Sequence, residues 1–113
     1  MKIYHNPRCS KSRQSLALLQ EAGVELEVVE YLNNPPTVEE LSQILDALQM
    51  EPADLMRTGE AVYQELGLRE KQLSRQEVIE TMIQHPVLIQ RPIVVNGDQA
   101  VIGRPPENLK SLL

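Results

Sequence analysis

A tight-turn signal near the end of the chain constrains the fold more than any other feature of the sequence. The pair Asn96-Gly97 stands between the β-branched run Ile93–Val95 and the apolar run Ala100–Ile102. Two such runs around an Asn-Gly pair are a strong short-range signal for a β-hairpin. The pattern predicts two antiparallel strands that close a sheet, followed by a short helix at Glu107–Leu113.

The first thirty residues predict a β-α-β unit. Met1–His5 and Leu26–Tyr31 are short runs with strand character, and the second has a β-branched centre. Between them, apolar residues at helical spacing predict a helix over about Lys11–Glu21. Gly23 stands where a left-handed helix cap belongs, which supports the end of that helix.

A helical insertion is expected after the second strand. The double proline at 35–36 ends the β-α-β unit, because proline lacks an amide donor and forces the preceding residue to be extended. Thr37 and Ser74 each stand three residues before a glutamate and ahead of apolar residues at helical spacing, which is the capping-box pattern. One or two short helical turns are expected within Pro52–Leu68, so the insertion spans about residues 37–90.

The composition is that of one small acidic domain. The chain has 113 residues, fewer than the roughly 150 typical of a domain, with 42% apolar and 24% charged residues. Its net charge of -5 disfavours binding to nucleic acid or to anionic membranes. No apolar run approaches a membrane span, and the first residues lack a signal-peptide pattern. We therefore expect a single cytoplasmic domain over residues 1–113, and its size and acidic surface favour a monomer.

The lone cysteine is the first candidate for chemistry. Cys9 follows the first strand and stands where the first helix begins, and three basic residues flank it: Arg8, Lys11 and Arg13. Unpaired amides and the positive end of a helix favour the thiolate over the thiol. With a single cysteine the chain forms no internal disulfide and no Cys-rich zinc site. The remaining alternatives are a buried structural cysteine and a nucleophile that reacts with an external partner.

Spacing excludes the better-known thiol and anion motifs. A phosphatase-type Cys-x5-Arg loop fails because Arg13 comes too early, and a dithiol redox motif would need a cysteine where Ser12 stands. A phosphate-binding P-loop would need glycines that are absent. The sequence therefore favours a monothiol Cys-x-x-Ser site, whose loop Asn6 and Ser10 could shape or cap.

Arginines at the ends of predicted strands are candidates for an oxyanion site. A guanidinium offers planar paired donors to a tetrahedral anion and stays charged at any working pH. Arg91 and Arg104 each precede a proline at the end of a strand or hairpin, where the sheet can bring them near the first helix. Arg69 and Arg75 have the character of ordinary surface residues.

Motifs along the whole chain resemble the glutaredoxin-dependent arsenate reductase (ArsC) family. The matching segments are His5-Asn6-Pro7-x-Cys9-x-x-Ser12-Arg13, Tyr31-Leu32-x-Asn34-Pro35-Pro36-Thr37, Leu55-Met56-Arg57, Tyr63-x-Glu65-Leu66-Gly67-Leu68, His85-Pro86-x-Leu88-Ile89-x-Arg91-Pro92-Ile93-Val94-Val95 and Gly103-Arg104-Pro105-Pro106-Glu107. The resemblance implies an α/β, thioredoxin-like βαβ–ββα fold with a mixed four-stranded sheet and a helical insertion after the second strand.

The resemblance also implies roles for individual residues. Cys9 matches the family's nucleophile, and three arginines match those that hold the arsenate oxyanion: Arg57, Arg91 and Arg104. Pro92 matches the cis proline of thioredoxin-like folds, although most X-Pro bonds are trans.

Three further residues beside the cysteine are candidates for supporting roles. His5 matches a histidine that tunes the thiol, and an imidazolium there would favour the thiolate. A partly buried histidine that merely ends a strand is the alternative. Ser12 could donate its hydroxyl to the thiolate, while Arg13 is either a further anion contact or a surface residue.

The function implied by the resemblance is reduction of arsenate, or a related oxyanion, to arsenite. Glutathione and glutaredoxin would supply electrons from outside, and no bound metal or organic cofactor is expected. Ser10-Lys11 depart from the small residues usual in the family at these positions. Two alternatives remain open: a glutathione-linked monothiol oxidoreductase with another substrate, and a non-catalytic binding module like the Spx-type regulators, against which Ser12 speaks because those proteins use a Cys-x-x-Cys switch.

Overall fold

A computed structural model describes all of residues 1–113, and the chain forms two compact units. The first unit combines residues 1–34 with residues 91–113, and the second comprises residues 35–90. The second unit coincides, to within two residues, with the helical insertion expected at 37–90.

The first unit contains the sheet and two helices. Its elements are, in chain order, strand β1 (Lys2–His5), helix α1 (Ser10–Glu21), strand β2 (Glu27–Glu30), strand β3 (Ile93–Asn96), strand β4 (Gln99–Ile102) and a C-terminal 3₁₀ helix (Pro106–Leu112). Strand β2 is two residues shorter than expected, and α1 begins one residue earlier. Gly23 has a φ of +73° directly after the end of α1, which confirms the predicted glycine cap.

The four strands form one mixed sheet in the order β2-β1-β3-β4. Strands β1 and β2 are parallel, whereas the β1–β3 and β3–β4 pairs are antiparallel. This arrangement confirms the predicted βαβ–ββα fold with the insertion after β2. The hairpin is also confirmed, but its two-residue loop is Gly97–Asp98, because Asn96 pairs with Gln99 and still belongs to β3.

The apolar core of the first unit lies where α1 and the C-terminal 3₁₀ helix pack on the sheet. Ile3 and Val94 oppose each other in β1 and β3, and Leu19 of α1 is fully buried with them. Leu109 and Leu112 complete the cluster from the 3₁₀ helix. The final helical segment was therefore placed correctly, although it is 3₁₀ rather than α-helical.

The second unit is helical. Its elements are helix α2 (Val38–Leu48), a 3₁₀ turn (Pro52–Leu55), helix α3 (Ala61–Glu65), a 3₁₀ turn (Leu68–Glu70), helix α4 (Arg75–Gln84) and a 3₁₀ turn (Pro86–Leu88). Ser74 and Glu77 form the predicted reciprocal capping box at the start of α4. The Thr37 hydroxyl accepts the Glu40 N–H at the start of α2. None of the helices is both long and apolar enough to cross a membrane.

Truncation of Leu19 tests the core of the first unit. We expect Leu19→Ala to lower the free energy of unfolding by about 2–5 kcal/mol, because a fully buried leucine loses its contacts and leaves a cavity. Urea denaturation measures the change. Leu113→Ala is the control: this leucine is 56% exposed, so its truncation should change stability by no more than about 0.5 kcal/mol. Equal losses in the two variants would contradict the described core.

Candidate active site

The loop between β1 and α1 holds Cys9 at the first turn of the helix. Cys9 is the N-cap residue of α1, with extended backbone angles, and its N–H donates to the Asn6 carbonyl at 3.0 Å. The Asn6 side chain accepts the Arg8 N–H, also at 3.0 Å. Asn6 therefore closes the loop with both its backbone and its side chain, which agrees with its predicted role in shaping it.

The Cys9 thiol is buried, yet its pKa is lowered. Burial raises the pKa of the thiol and is the largest single influence on it. The backbone amides of Ser12 and Lys11, together with a hydrogen bond and the positive charge from Arg91, outweigh that effect and hold the pKa below its usual range. The site therefore stabilises a thiolate where an apolar surrounding would suppress it, which favours the nucleophile over the structural cysteine.

Arg91 and Arg104 meet at this sulfur because of the hairpin register. Arg91 lies two residues before β3, and Arg104 lies two residues after β4. Since Ile93 pairs with Ile102, the outer ends of the two strands lie side by side. Arg104 Nη1 donates to Cys9 Sγ at 3.7 Å and to the Arg91 carbonyl at 3.5 Å. The predicted convergence of both arginines on the cysteine is confirmed in position, and their role in binding an oxyanion stays a prediction.

Two cis peptide bonds flank the hairpin. The Arg91–Pro92 bond is cis, as the resemblance implied, and Pro92 is buried. The Arg104–Pro105 bond is cis as well, which was not predicted. The sequence carries no local signal that distinguishes this second cis bond from an ordinary X-Pro bond.

Ser12 has a different role from the one expected of its hydroxyl. Its Oγ is fully buried, lies 2.6 Å from His5 Nδ1 and accepts the Asn6 N–H at 3.0 Å. Ser12 lowers the pKa of Cys9 through its backbone N–H. The expected donation from hydroxyl to thiolate is therefore replaced by a donation from the amide, while the hydroxyl joins the end of β1 to the first turn of α1.

His5 favours the neutral imidazole. Burial is the main cause that lowers its pKa, the Arg13 charge adds to that effect, and Glu30 opposes it only in part. The lowered pKa disfavours an imidazolium beside the thiolate, because a largely buried ring is costly to charge, and a role of His5 in tuning the thiol stays a prediction. His5 contacts the cysteine loop through the Ser12 hydroxyl instead.

The two other arginines predicted to contact the anion, Arg13 and Arg57, have other partners in the structure. Arg13 is exposed, and its Nη1 donates to the Pro7 carbonyl at 2.9 Å, so it braces the loop. Arg57 belongs to the second unit, where its N–H donates to the Leu88 carbonyl and its Nε lies 3.5 Å from Glu60. Anion binding by Arg13 and Arg57 stays a prediction. No group of three or more His, Cys, Asp or Glu side chains is arranged to hold a metal ion.

Comparison with known proteins places this site in a family. The model of the ArsC family matches residues 4–112. The chain belongs to the ArsC family. The predicted resemblance is therefore confirmed over nearly the whole length of the chain.

Individual ArsC relatives are similar over their full length. An arsenate reductase of Neisseria meningitidis serogroup B is 44% identical over 114 residues, covering 100% of this chain and 97% of the relative. The uncharacterized protein YfgD of Escherichia coli is 49% identical over 114 residues, covering 100% and 96%. A solved structure of an arsenate reductase from Vibrio cholerae is 46% identical, with a TM-score of 0.94 over 100% of this chain and 98% of that one.

The pH dependence of Cys9 alkylation tests the charge balance at the sulfur. We expect the rate to rise with a midpoint below that of a free thiol measured under the same conditions, because two amides and Arg91 favour the thiolate. Arg91→Ala should move the midpoint upward, because burial raises the pKa of the thiol and the variant lacks the Arg91 charge and hydrogen bond that lower it. Stopped alkylation with iodoacetamide, read by mass spectrometry, gives both curves. If Arg91→Ala left the midpoint unchanged, that result would contradict the conclusion that Arg91 lowers the pKa of Cys9.

The pKa of His5 predicts a loss of stability in acid. Because the folded-state pKa is lowered, the unfolded state binds more protons, so the free energy of unfolding should fall as pH drops through about 6.5. His5→Gln cannot be protonated and should lose less stability between about pH 7.5 and pH 5.5. Urea unfolding at the two pH values measures the difference. The same decrease in both proteins would show that His5 does not contribute.

Proposed function

We propose that this ArsC-family chain reduces arsenate to arsenite with Cys9 as the nucleophile. The observation that carries the proposal is the buried Cys9 sulfur at the start of α1, with Arg104 Nη1 at 3.7 Å and Arg91 hydrogen-bonded to it. Relatives named arsenate reductase that match the whole chain support the choice of substrate.

The chemistry of the site suits a tetrahedral oxyanion. Arg91 and Arg104 bring two permanent positive charges to one side of the sulfur, and guanidiniums bind oxyanions through paired donors. The first amides of α1 add donors at the positive end of the helix. An arsenate held there would have its arsenic atom beside the thiolate, and the same donors would stabilise the charge that develops during attack. We propose Arg57 as the third arginine that binds the oxyanion and Arg13 as the fourth.

The first proposed step forms a sulfur–arsenic bond. The Cys9 thiolate attacks As(V) of the hydrogen arsenate dianion, one arsenic–oxygen bond breaks, and that oxygen takes up a proton and leaves as water. The product is a Cys9-S-arsenate adduct that keeps two negative charges. Arginines that neutralise those charges favour the adduct over the separate reactants.

External thiols complete the proposed reaction. Two thiols become one disulfide, and the two electrons they give up reduce As(V) to As(III). Hydrolysis of the remaining sulfur–arsenic bond then releases arsenite and restores Cys9. Since Cys9, the single cysteine of the chain, stays bonded to arsenic, both sulfurs of the disulfide must come from outside, and we propose glutathione followed by glutaredoxin. We further propose that the enzyme acts as a cytoplasmic monomer without a bound cofactor, because cytosolic glutathione keeps such thiols reduced.

A coupled assay tests the proposal. With glutathione, glutaredoxin, glutathione reductase and NADPH, we expect NADPH oxidation that requires arsenate and disappears in Cys9→Ser. Arg91→Ala and Arg104→Ala should weaken arsenate binding by about 1.5–3 kcal/mol for each charged hydrogen bond lost. The same assay of Arg57→Ala tests the third proposed arginine.

Two controls make the assay decisive. Arg75→Ala removes a surface arginine that pairs with Asp46 at 2.9 Å, and it should keep wild-type kinetics. A parallel assay without arsenate and without glutaredoxin, in which a glutathione mixed disulfide is supplied, distinguishes arsenate reduction from a general glutathione-linked oxidoreductase. Arsenate-dependent turnover in Cys9→Ser would refute the proposed nucleophile, and turnover only with the mixed disulfide would refute the proposed substrate.

A further inference from the structure

The segment that carries Arg104 is held from the side of the C-terminal 3₁₀ helix. Asn108, in that helix, donates from Nδ2 to two carbonyls, that of Ile102 at 3.2 Å and that of Arg104 at 3.3 Å. One side chain therefore holds the backbone on both sides of Gly103. Asn108 itself is exposed, so these hydrogen bonds do not serve the apolar core.

The same segment is held tightly from the side of α1. The Gly103 N–H donates to the Pro92 carbonyl at 2.9 Å, and Ser15 Oγ, which is fully buried, donates to the Gly103 carbonyl at 3.4 Å. A Cβ on Gly103 would lie 2.5 Å from Ser15 Oγ and 3.0 Å from Pro92 Cγ. There is no room for a side chain at Gly103, because Ser15 and Pro92 fill the space beside it.

The contacts of the Arg104 guanidinium leave little tolerance for displacement. Its Nη1 lies 3.7 Å from Cys9 Sγ and 3.5 Å from the Arg91 carbonyl, both near the outer limit of hydrogen-bond distance. A shift of the Arg104 backbone away from Cys9 would lengthen both contacts unless the side chain adjusted its conformation. Asn108 donates to the carbonyl of Arg104 itself, so it fixes the backbone from which this guanidinium extends.

We propose that Asn108 is a positioning residue that aims the Arg104 guanidinium at the Cys9 sulfur and at an oxyanion bound there. Asn108 touches neither the sulfur nor the anion and acts through the Ile102 and Arg104 carbonyls. The part of the inference that concerns the oxyanion rests on the proposed function. The part that concerns the sulfur does not, because it depends only on the distances within this unit.

Alkylation of Cys9 in Asn108→Ala tests the proposal. We expect the midpoint of the pH–rate curve to move upward, in the direction of Arg104→Ala and by a smaller amount, because the donor to the thiolate becomes less well placed. Protection of Cys9 by arsenate should weaken by roughly three- to tenfold, the loss expected for one hydrogen bond. Unchanged values of both quantities would overturn the proposal.

Asn96→Ala is the matched control. Asn96 also donates from Nδ2 to a backbone carbonyl of the 3₁₀ helix, that of Leu112 at 3.1 Å, but at the end of the helix far from Arg104 in sequence. We expect this variant to match Asn108→Ala in thermal stability and the wild type in alkylation and protection. Equal shifts in the two asparagine variants would mean that Asn108 only anchors the 3₁₀ helix.

A double-mutant cycle identifies the route of the effect. If Asn108 acts through Arg104, then Asn108→Ala adds nothing in an Arg104→Ala background. An additive shift would overturn the proposal. The alkylation measurement needs no arsenate, so failure of wild-type protection would count against the proposed substrate and leave the positioning role to be judged on the pH curves.

Gly103 provides a second, independent variant. Gly103→Ala should shift the alkylation midpoint as Asn108→Ala does, because the new methyl pushes the segment away from Ser15. Ser15→Ala removes the atom at 2.5 Å and should return the midpoint of the double variant toward the wild-type value. A Gly103→Ala protein that keeps the wild-type midpoint would contradict the proposed dependence on the position of this segment.

Discussion

The candidate active site depends on opposing influences on the pKa of one group, the thiol of Cys9. Burial alone would keep the thiol protonated and unreactive, as in the interior of most proteins. Two helix amides and Arg91 reverse that preference, and Arg104 adds a further donor. Because the opposing effects act on the same group, the thiol is buried while its pKa is held below its usual range. The nearby histidine remains neutral, so the charge balance rests on amides and guanidiniums.

The order of strands explains how distant parts of the chain reach this atom. Strand β1 leads directly into the cysteine loop, and β3 pairs with β1 although almost ninety residues separate them. The pairing of β3 with β1 and of Ile93 with Ile102 then places both hairpin ends at the loop. The helical unit is inserted in the chain between β2 and β3. These two strands are not neighbours in the sheet, so the insertion does not separate a pair of adjacent strands.

Local patterns in the sequence identified most of the elements, because their causes are local. The capping box at Ser74 and the glycine cap after α1 are set by a few neighbouring residues. The loop of the hairpin moved by one position because Asn96 pairs with Gln99 in the sheet, which the Asn-Gly signal alone does not encode. The charge of His5 and the partner of the Ser12 hydroxyl depend on burial between β1 and α1, so only the assembled fold defines them.

The brace between Arg13 and Pro7 has a consequence for how a ligand meets this loop. Arg13 lies in the first turns of α1, and its guanidinium reaches back to the carbonyl that precedes Arg8. Helix and loop are thereby tied into one ring that includes the cysteine. The conformational entropy of the loop is lost when the chain folds, so binding of the proposed oxyanion would require no further ordering of the loop.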